Sequence, residues 1–492
     1  MSAPRPASGP IRAGGPFRIP FSRVAAAALA ILVLAGCAST VVDENFSSAQ
    51  AVAKDRFDTE VRWLRTAEAR REAEESVDQL LQKPVSIDDA VRISLAYSPA
   101  LQVMLFEGAA ASAAATQSAR LPNPVFTFER LVRNEGDTRE LEIGRMLSVS
   151  LFDLFLLPAR LRLADFQQQQ ARLKLAGDVV QTAVDARQSW VRAVAAQQSL
   201  KYFEQVKASA VASAELARRM QSVGNFSRLQ RAREQAFSAD ATARLARARQ
   251  AAVSAREALV RVLGLNDAQV AKLKLPERLP DLPDRPRDEQ TVLQSAIAQR
   301  LDVRMAQAGL EYSARAQGLT RLTRVVNGFH IAGVRNSESG MAPQKGYELE
   351  FPLPIFDAGD AIGAQSQARY MAALNRVARL AVDASSEVRE TYASYRTAYG
   401  LARHYRDEIV PLRQVIAEEN VLRYNGMLIG IFELLADARE QIGSVVQAIE
   451  AQRDAFLADA ALEAALIGRP FGGIAMQADS ADSAGGGSAA AH

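Results

Sequence analysis

The sequence contains a single cysteine, Cys37, among 492 residues. A lone cysteine excludes an intrachain disulfide, and it cannot supply the several thiolates that a structural zinc site requires. Its role therefore has to follow from its position. Cys37 comes directly after the most apolar stretch of the chain, residues 24–34, and the small residues Ala35 and Gly36.

Histidine is almost as scarce, and catalytic motifs are missing. The three histidines, His330, His404 and His492, fall in a predicted strand, a long predicted helix and the tail, which argues against a histidine-based metal or acid–base cluster. No G-x-S-x-G, G-x-x-x-x-G-K-[ST], G-x-G-x-x-G or H-E-x-x-H pattern occurs. We therefore expect no enzymatic activity, no cofactor and no metal site.

Charge of one sign is also lacking. The 59 basic and 56 acidic residues are interspersed and give a formal net charge of +3, so the chain has no electrostatic footprint for nucleic acid. The adjacent carboxylates of Asp88 and Asp89 suit the first turn of a helix and require no chemistry.

Residues 1–36 have the layout of a secretory signal peptide. Four arginines and no acid precede the apolar run, which is shorter than the roughly 20 residues that span a bilayer as a helix. Leu34-Ala35-Gly36-Cys37 resembles the bacterial lipobox, which implies cleavage before Cys37 and lipid on its sulfur and amine. Ala38 stands where many inner-membrane lipoproteins have Asp, so the resemblance points to the outer membrane. The alternative is an ordinary signal peptide with an incidental cysteine.

The remaining chain repeats itself, and a repeat has to be found before a fold is assigned. Phe152-Asp153 matches Phe356-Asp357, and the sequence AREQ occurs at residues 232–235 and 438–441. We predict a lead-in segment at 37–85, a first repeat at 86–270, a proline-rich linker at 271–287, a second repeat at 288–470 and a disordered tail at 471–492.

Each repeat is predicted to contain a helix, two strands and a long helical hairpin. In the first repeat the helix covers residues 86–117, and the strands cover 125–133 and 141–151. In the second repeat the strands cover 325–334 and 347–355. Apolar and polar residues alternate along these strands, with Arg145 as an interruption of the apolar face.

Strands of about ten residues match the length of a transmembrane β-strand. Four strands cannot close a bacterial barrel, because such barrels need eight or more and an open edge in lipid leaves backbone groups unsatisfied. If these strands span a membrane, the barrel must be shared among subunits. The alternative is two ordinary hairpins that pack on the helices of a soluble domain.

The hairpins are rich in strong helix formers, and no proline occurs between Pro158 and Pro276. Two adjacent apolar seams indicate two helical neighbours, as in packing around a tube. Gly224 and Gly426 interrupt the helices after descending arms of about 65 residues, which is close to 100 Å of helix. Each ascending arm of about 35 residues is expected to stack end to end on the remaining helix of its repeat. The glycines are therefore predicted to turn the hairpins at a distant tip.

These features resemble the TolC family of outer-membrane efflux proteins, in its lipoprotein branch. The specific stretches are AYSPALQ at residues 96–102, PIFDAG at 354–359 and RYNGMLIGIFELLADAREQ at 423–441. The resemblance implies a mainly α fold with a small membrane β portion. It further implies a homotrimer whose twelve-stranded barrel, four strands per subunit, caps an α-helical tunnel. Such a channel conducts substrates passively outward after docking to a periplasmic adaptor and an inner-membrane pump.

The resemblance also suggests residues at the tip. The Tyr-x-x-Gly motif of the family has a counterpart one residue shorter in Tyr424-Asn425-Gly426, whereas the first repeat has Gly224 without a tyrosine. In the family, charged tip residues form ion pairs that hold the aperture closed. The candidates here are Arg228, Arg231, Arg423, Glu433 and Asp437. The alternative for each is an ordinary solvated helix charge, since exposed pairs contribute only about 0 to 1 kcal/mol.

A function of another class stays open at this point. A periplasmic coiled-coil lipoprotein with a structural or adaptor role would place the strands in a soluble β-domain. The two hypotheses separate on the strands, because only a channel needs them in lipid.

Overall fold

A computed structural model describes residues 37–135, 138–290, 292, 300–323 and 328–468. The predicted signal peptide, the predicted tail and residues 325–327 of the predicted third strand lie outside the described residues. The chain order of the helices and strands follows the predicted order within each repeat.

The N-terminal half contains seven helices and two strands among the described residues, in the following order. They are α1 (Cys37–Phe57), α2 (Ala67–Leu80), α3 (Ile87–Tyr97), α4 (Pro99–Ser118), β1 (Val125–Glu135), β2 (Thr138–Ser150), α5 (Leu151–Ser222), α6 (Arg228–Leu263) and α7 (Asp267–Lys272). The 72 residues of α5 correspond to about 108 Å at 1.5 Å per residue. This helix sets the length of the molecule.

The second half repeats the pattern. Its elements are α8 (Leu301–Thr323), β3 (His330–Glu338), β4 (Gln344–Glu350), α9 (Asp360–His404), a π-helical turn (Tyr405–Ile409), α10 (Val410–Asn425) and α11 (Ile431–Ile467). The π turn ends two residues before Pro411, which cannot donate a backbone hydrogen bond, and the long arm continues through it. None of the described helices combines the length and the apolar character that a membrane span requires.

The single helix predicted over 86–117 was wrong, because two helices occupy that segment. Ser86 starts α3 with a capping box, accepting from the Asp89 backbone N–H while the Asp89 carboxylate accepts from the Ser86 N–H. Burial alone would raise the pKa of Asp89, but hydrogen bonds from Ser86 and Lys83 outweigh it and lower the pKa. Ser98 breaks the helix with ψ of 122°, since a residue before proline avoids the α region.

The four strands form one antiparallel sheet in the order β1-β2-β3-β4. Phe126 pairs with Leu147, Leu147 with Gly333, and Gly333 with Tyr347, which fixes the register across all four strands. Several predicted boundaries were wrong. β1 ends at Glu135 rather than 133, β2 spans Thr138–Ser150 rather than 141–151, β3 begins at His330 rather than 325, and β4 begins at Gln344 rather than 347. β3 extends to Glu338 rather than ending at 334, and β4 ends at Glu350 rather than 355, because Pro352 and Pro354 lack the N–H that a ladder requires.

The helices of each repeat meet end to end at a glycine. Gly264 ends α6 with φ of 71°, and a Cβ at this position would overlap Pro99 Cδ at the start of α4. Gly468 ends α11 with φ of 86°, and its Cβ would overlap Asp302 Oδ1 and lie 2.8 Å from Arg300 Cβ beside the start of α8. Both junctions need glycine for its left-handed backbone and for its missing side chain.

The second junction is built around a buried cation. Arg300 is 1% exposed, and its guanidinium donates to the carboxylates of Asp302 and Glu387, both at 2.7 Å, and to the Ala465 carbonyl at 2.6 Å. Burial opposes the charged form, but the hydrogen bonds that Arg300 donates to the two carboxylates outweigh it and raise the pKa of Arg300. The arginine therefore stays charged and links α8, α9 and α11.

The proline-rich linker is packed against the helices. Leu273, Leu275 and Leu279 are buried in the cluster around Trp190 of α5, whose Nε1 donates to the Val85 carbonyl at 2.8 Å. The tyrosines of α9 hold the rest of the linker: Tyr399 Oη donates to the Pro283 carbonyl at 2.6 Å, and the Arg287 N–H donates to Tyr395 Oη at 3.1 Å. The tyrosines thus serve helix and linker packing.

Candidate functional site

The sheet has two chemically different faces. Residues paired directly across neighbouring strands share a face. One face, here called the apolar face, carries Phe126, Phe128, Leu147, Val149, Ile331, Tyr347 and Leu349. The other, here called the acidic face, carries Glu129, Glu140, Glu142, Glu338, Glu348 and Glu350, with Val125, Leu131 and Met146 among them. The alternation predicted from the sequence therefore extends across both repeats.

On the central strands, the apolar face is more exposed than the acidic face. On β2, Arg145, Leu147 and Val149 are exposed, whereas Gly144, Met146 and Ser148 on the acidic face are half-buried. Ala332, also on the acidic face, is only 6% exposed. This difference in exposure fits a sheet that curves toward its acidic face, with the glutamates on the inside and the large apolar side chains on the outside.

Both edges of the sheet are unpaired within the described chain. β1 pairs with β2 alone and β4 pairs with β3 alone, so each edge strand presents free backbone N–H and C=O groups along one side. Exposed edges of this kind are templates for pairing with another strand. The arrangement can be completed by strands from other copies of the chain.

At the far end of the long helices, the first hairpin turns through a Schellman motif. Gly224 has φ of 83°, and the backbone N–H groups of Gly224 and Asn225 donate to the carbonyls of Gln221 and Met220. Gly224 supplies the left-handed residue that ends α5.

The second hairpin uses the same motif with a residue other than glycine in the left-handed place. Gly426 has φ of −78°, and the left-handed residue is Met427, with φ of 59°. The N–H groups of Met427 and Leu428 donate to Tyr424 and Arg423, as the equivalent pair does in the first turn. Gly426 lies in the turn directly after α10 without a left-handed backbone, and the intact hydrogen-bond pattern shows that Met427 takes the left-handed place. Tyr424 and Asn425 form the last turn of α10.

The five candidate tip charges lie around these turns, but the structure does not bring them together. Arg228 begins α6, Arg423 lies in the last turn of α10, and Glu433 lies in the first turn of α11. Arg231 donates to Gln221 Oε1 at 2.8 Å, and Asp437 accepts from Asn420. No ion pair joins any of these five to another described residue of the chain, so a gating role for them stays a prediction.

The cross-link near the tip comes from residues that the candidate set missed. Arg439 of α11 donates to the Glu234 carboxylate of α6 at 2.5 Å and lies 4.5 Å from the centre of the Phe237 ring. Glu234 is 2% exposed and also accepts from Ser213 at 2.7 Å. This pair joins the hairpins of the two repeats. The repeated AREQ sequence contains both residues, and it was the signal that could have identified them.

Further ion pairs lie near the tip, both between helices and within one helix. Arg413 of α10 contacts Glu440 of α11 at 2.5 Å. Arg218 and Arg219 both donate to Glu215, and these hydrogen bonds lower the pKa of this exposed carboxylate to about 2. These charges serve contacts within and between helices. The described residues contain no group of three or more His, Cys, Asp or Glu side chains placed to hold a metal ion.

Solved structures with the same architecture are bacterial outer-membrane proteins. The chain aligns with the CmeC outer-membrane channel of Campylobacter jejuni at a TM-score of 0.66 and 14% identity, over 77% of this chain and 85% of CmeC. It aligns with the outer-membrane protein VceC of Vibrio cholerae at 0.65 and 14%, over 78% and 96% of the two chains. The open state of the MtrE outer-membrane channel of Neisseria gonorrhoeae aligns at 0.63 and 16%, over 78% and 89%.

The chain has an outer-membrane channel fold. The predicted fold class, mainly helical with a small β portion of four strands, is confirmed by this likeness and by the sheet itself. No family model matches the chain, and no curated protein matches it in sequence. The likeness is therefore one of fold, at sequence identities of 14% and 16% to the three proteins named above.

Proposed function

We propose that the chain is the outer-membrane channel of a tripartite efflux system and works as a homotrimer. Three copies of the four-stranded sheet form a twelve-stranded barrel, and the long hairpins form a tunnel that crosses the periplasm. Substrates pass outward passively. The observation that carries the proposal is the four-stranded sheet, which has two free edges, an exposed apolar face and an acidic opposite face.

The free edges require partners once the sheet enters lipid. Unpaired backbone groups cost several kcal/mol each in hydrocarbon, so spanning strands occur in closed barrels. Four strands are too few to close, since bacterial barrels have eight or more. Pairing β4 of one subunit with β1 of the next closes the barrel after three copies, because three times four strands gives twelve. The glutamates then line the water-filled interior and the apolar face contacts lipid.

The remaining parts of the proposal follow from the helices and from the first residues. No nucleotide-binding motif supplies energy, so an inner-membrane pump drives transport through a periplasmic adaptor. The second tip offers that adaptor an apolar contact, because Met427 is 93% exposed and Leu428 is 77% exposed. Cys37, the first described residue, carries the lipid that anchors the subunit to the outer membrane.

Cysteine cross-linking tests the shared barrel. Because Cys37 is the only native cysteine, replacing it removes every competing thiol. In a Cys37→Ala background, Thr127→Cys or Glu129→Cys on β1 is combined with Gly346→Cys or Glu348→Cys on β4. Within one subunit β1 and β4 are three strand spacings apart, about 14 Å, which exceeds the reach of a disulfide. A bond between these positions therefore reports pairing between subunits.

On oxidation in outer membranes, at least one combination should give a covalent ladder that ends at three chains. The matched single-cysteine variants should stop at two chains. If every combination stays monomeric and the protein washes off without detergent, the sheet is a soluble domain. The periplasmic lipoprotein would then be the better account.

A further inference from the structure

Three cations form a row across the apolar face of the sheet. Arg145 on β2 pairs directly with Arg335 on β3, and Arg335 pairs directly with Lys345 on β4. All three side chains are exposed. Neighbouring strands are about 4.8 Å apart, so the three charges stand side by side. Arg145, which interrupts the apolar alternation of its own strand, is thus one member of a row contributed by both repeats.

The row has no counter-charge within the described chain. None of Arg145, Arg335 and Lys345 makes an ion pair or a side-chain hydrogen bond with a described residue. The described glutamates of the sheet point to the opposite face, where Glu140 lies 3.9 Å from Arg133. Like charges directly opposite each other destabilise a sheet, and unpaired cations are costly on a lipid-facing surface. An anion from outside the chain resolves both problems.

The position of the row indicates where that anion comes from. On the side towards the helices, the apolar face continues with Leu147, Val149, Ile331, Tyr347 and Leu349. On the side away from the helices, β3 continues with Ser337 and reaches the loop at 339–343. On β3 and β4, the cations therefore lie where the apolar surface ends and the polar loop begins.

On β1 and β2 the same face is mixed beyond the row, because Ile143 pairs with Arg130 and Leu141 pairs with Val132. Phe128 pairs with Arg145 and places an aromatic ring at the end of the row, and Arg130 lies one pair further from the helices on the same face. Aromatic and basic side chains together are typical of the interface between hydrocarbon and head groups. The guanidinium groups of Arg145 and Arg335 can bind phosphate oxygens in a bidentate way, and Lys345 adds a point charge.

We propose that Arg145, Arg335 and Lys345 bind the phosphate of an anionic lipid in the outer leaflet, with its acyl chains against the apolar rows beside Leu147 and Tyr347. This proposal rests on the proposed function, because the helices must face the periplasm for the loop side of the sheet to face outward. The bound lipid neutralises the row and fixes the depth of the barrel in the membrane.

Lipid retention by the full-length assembly tests the site. Wild-type protein and an Arg145→Gln, Arg335→Gln, Lys345→Gln variant are placed in phosphatidylcholine nanodiscs that contain a diphosphorylated glycolipid. They are then extracted into detergent, and retained lipid is counted by native mass spectrometry. The control variant replaces three exposed arginines of the helices, Arg247, Arg369 and Arg389, by glutamine. A second test variant, Arg145→Lys with Arg335→Lys, keeps the charge of the row.

Wild type, the control and the lysine variant should retain the glycolipid, and the triple sheet variant should retain it at least about tenfold less well. The dephosphorylated glycolipid should not be retained by any of them. Equal retention by the triple sheet variant, equal retention of the dephosphorylated lipid, or displacement by excess inorganic phosphate would overturn the lipid site. If wild type forms no detergent-stable trimer, the proposed function fails instead, and the same mass spectra show this directly.

Discussion

The two hairpin tips make the same turn with different residues. Both end the descending arm with a Schellman motif, but the left-handed residue is Gly224 in the first tip and Met427 in the second. Ser227 then starts α6 with a capping box completed by Gln230, whereas Gly430 starts α11 without a side-chain cap. The first tip therefore has the residues that its backbone favours, and the second tip lacks them at both places.

The two tips therefore share the same backbone turn but differ in local stability. A non-glycine residue in the left-handed region costs about 1 to 2 kcal/mol, and glycine in place of a capping side chain costs about a few tenths of a kcal/mol. The second tip is thus the easier one to open, and it is also the one with exposed Met427 and Leu428. Easily opened, exposed segments are typical of elements that move or bind.

The same contrast between the repeats occurs at the helix junctions. Ser98 and Arg300 occupy matching positions, each immediately before the helix that meets a left-handed glycine. Both are 1% exposed, but Ser98 Oγ has no hydrogen-bond partner among the described residues and Arg300 has several. The first junction is held by apolar packing and the second by buried charge.

The largest expected effect comes from the junction arginine. Arg300→Met should destabilise the protein by about 3 to 5 kcal/mol, because it leaves the carboxylates of Asp302 and Glu387 without the cation that they share. Ser98→Ala, at the matching position, should change stability by less than about 0.5 kcal/mol. Thermal unfolding of the detergent-purified protein, followed by circular dichroism, measures both. Equal effects of the two changes would contradict the claim that buried charge stabilises the second junction more than the first.

Next in size are the junction glycines, at which the two repeats should behave alike. Gly264→Ala and Gly468→Ala should each cost about 2 kcal/mol or more, since the new Cβ meets Pro99 or Asp302 and the backbone is left-handed. Gly443→Ala is the control, because this glycine lies within α11 with open space around it and alanine favours a helix. Loss of stability in the control but not at the junctions would contradict the end-to-end stacking.

The tip turns should respond in opposite directions. Gly224→Ala should weaken the first tip by about 1 kcal/mol, and Met427→Gly should strengthen the second by about the same amount. Hydrogen exchange of the tip peptides, read by mass spectrometry, should accelerate about fivefold in the first case and slow about fivefold in the second. Gly426→Ala should have little effect, since its φ is −78°. A strong loss at Gly426 would restore it as the turning residue.

The smallest effect is expected at the helix starts. Gly430→Ser should raise the free energy of local opening at the first turn of α11 by about a few tenths of a kcal/mol and so slow hydrogen exchange there. The reason is that a serine at this position can form a capping box with Glu433. Ser227→Ala should lower the free energy of local opening at the first turn of α6 by about 1 kcal/mol and so speed hydrogen exchange there. If neither change alters exchange, local capping does not distinguish the two tips.

The periodic parts of the molecule could be predicted from the sequence, and the exceptions have local or long-range causes. The strand faces and the long arms follow from repeating patterns, which is why the sheet and α5 are where they were expected. The break at Ser98 and the end of β4 depend on single prolines within otherwise favourable patterns. The left-handed Met427 has no sequence signal, since a neighbouring glycine offered the simpler reading.

The contacts that join the repeats could not be predicted from local patterns. Glu234 and Arg439 are 205 residues apart, and Arg145 and Lys345 stand in one row only because β2 and β3 pair across the repeat boundary. Each of these residues looks like an ordinary helix or strand charge by itself. For the strand charges, the contacts depend on the register between strands. The sequence pattern predicts which face of a strand a residue occupies, but not which residue of the next strand it pairs with.

The most direct test of the account is electron cryomicroscopy of a Cys37→Ala variant, purified in detergent from outer membranes. The account predicts three-fold particles with a helical tube about 100 Å long below a twelve-stranded barrel in the detergent belt, with β4 of each subunit beside β1 of the next. Single hairpin-shaped chains, or protein released from the membrane without detergent, would contradict it.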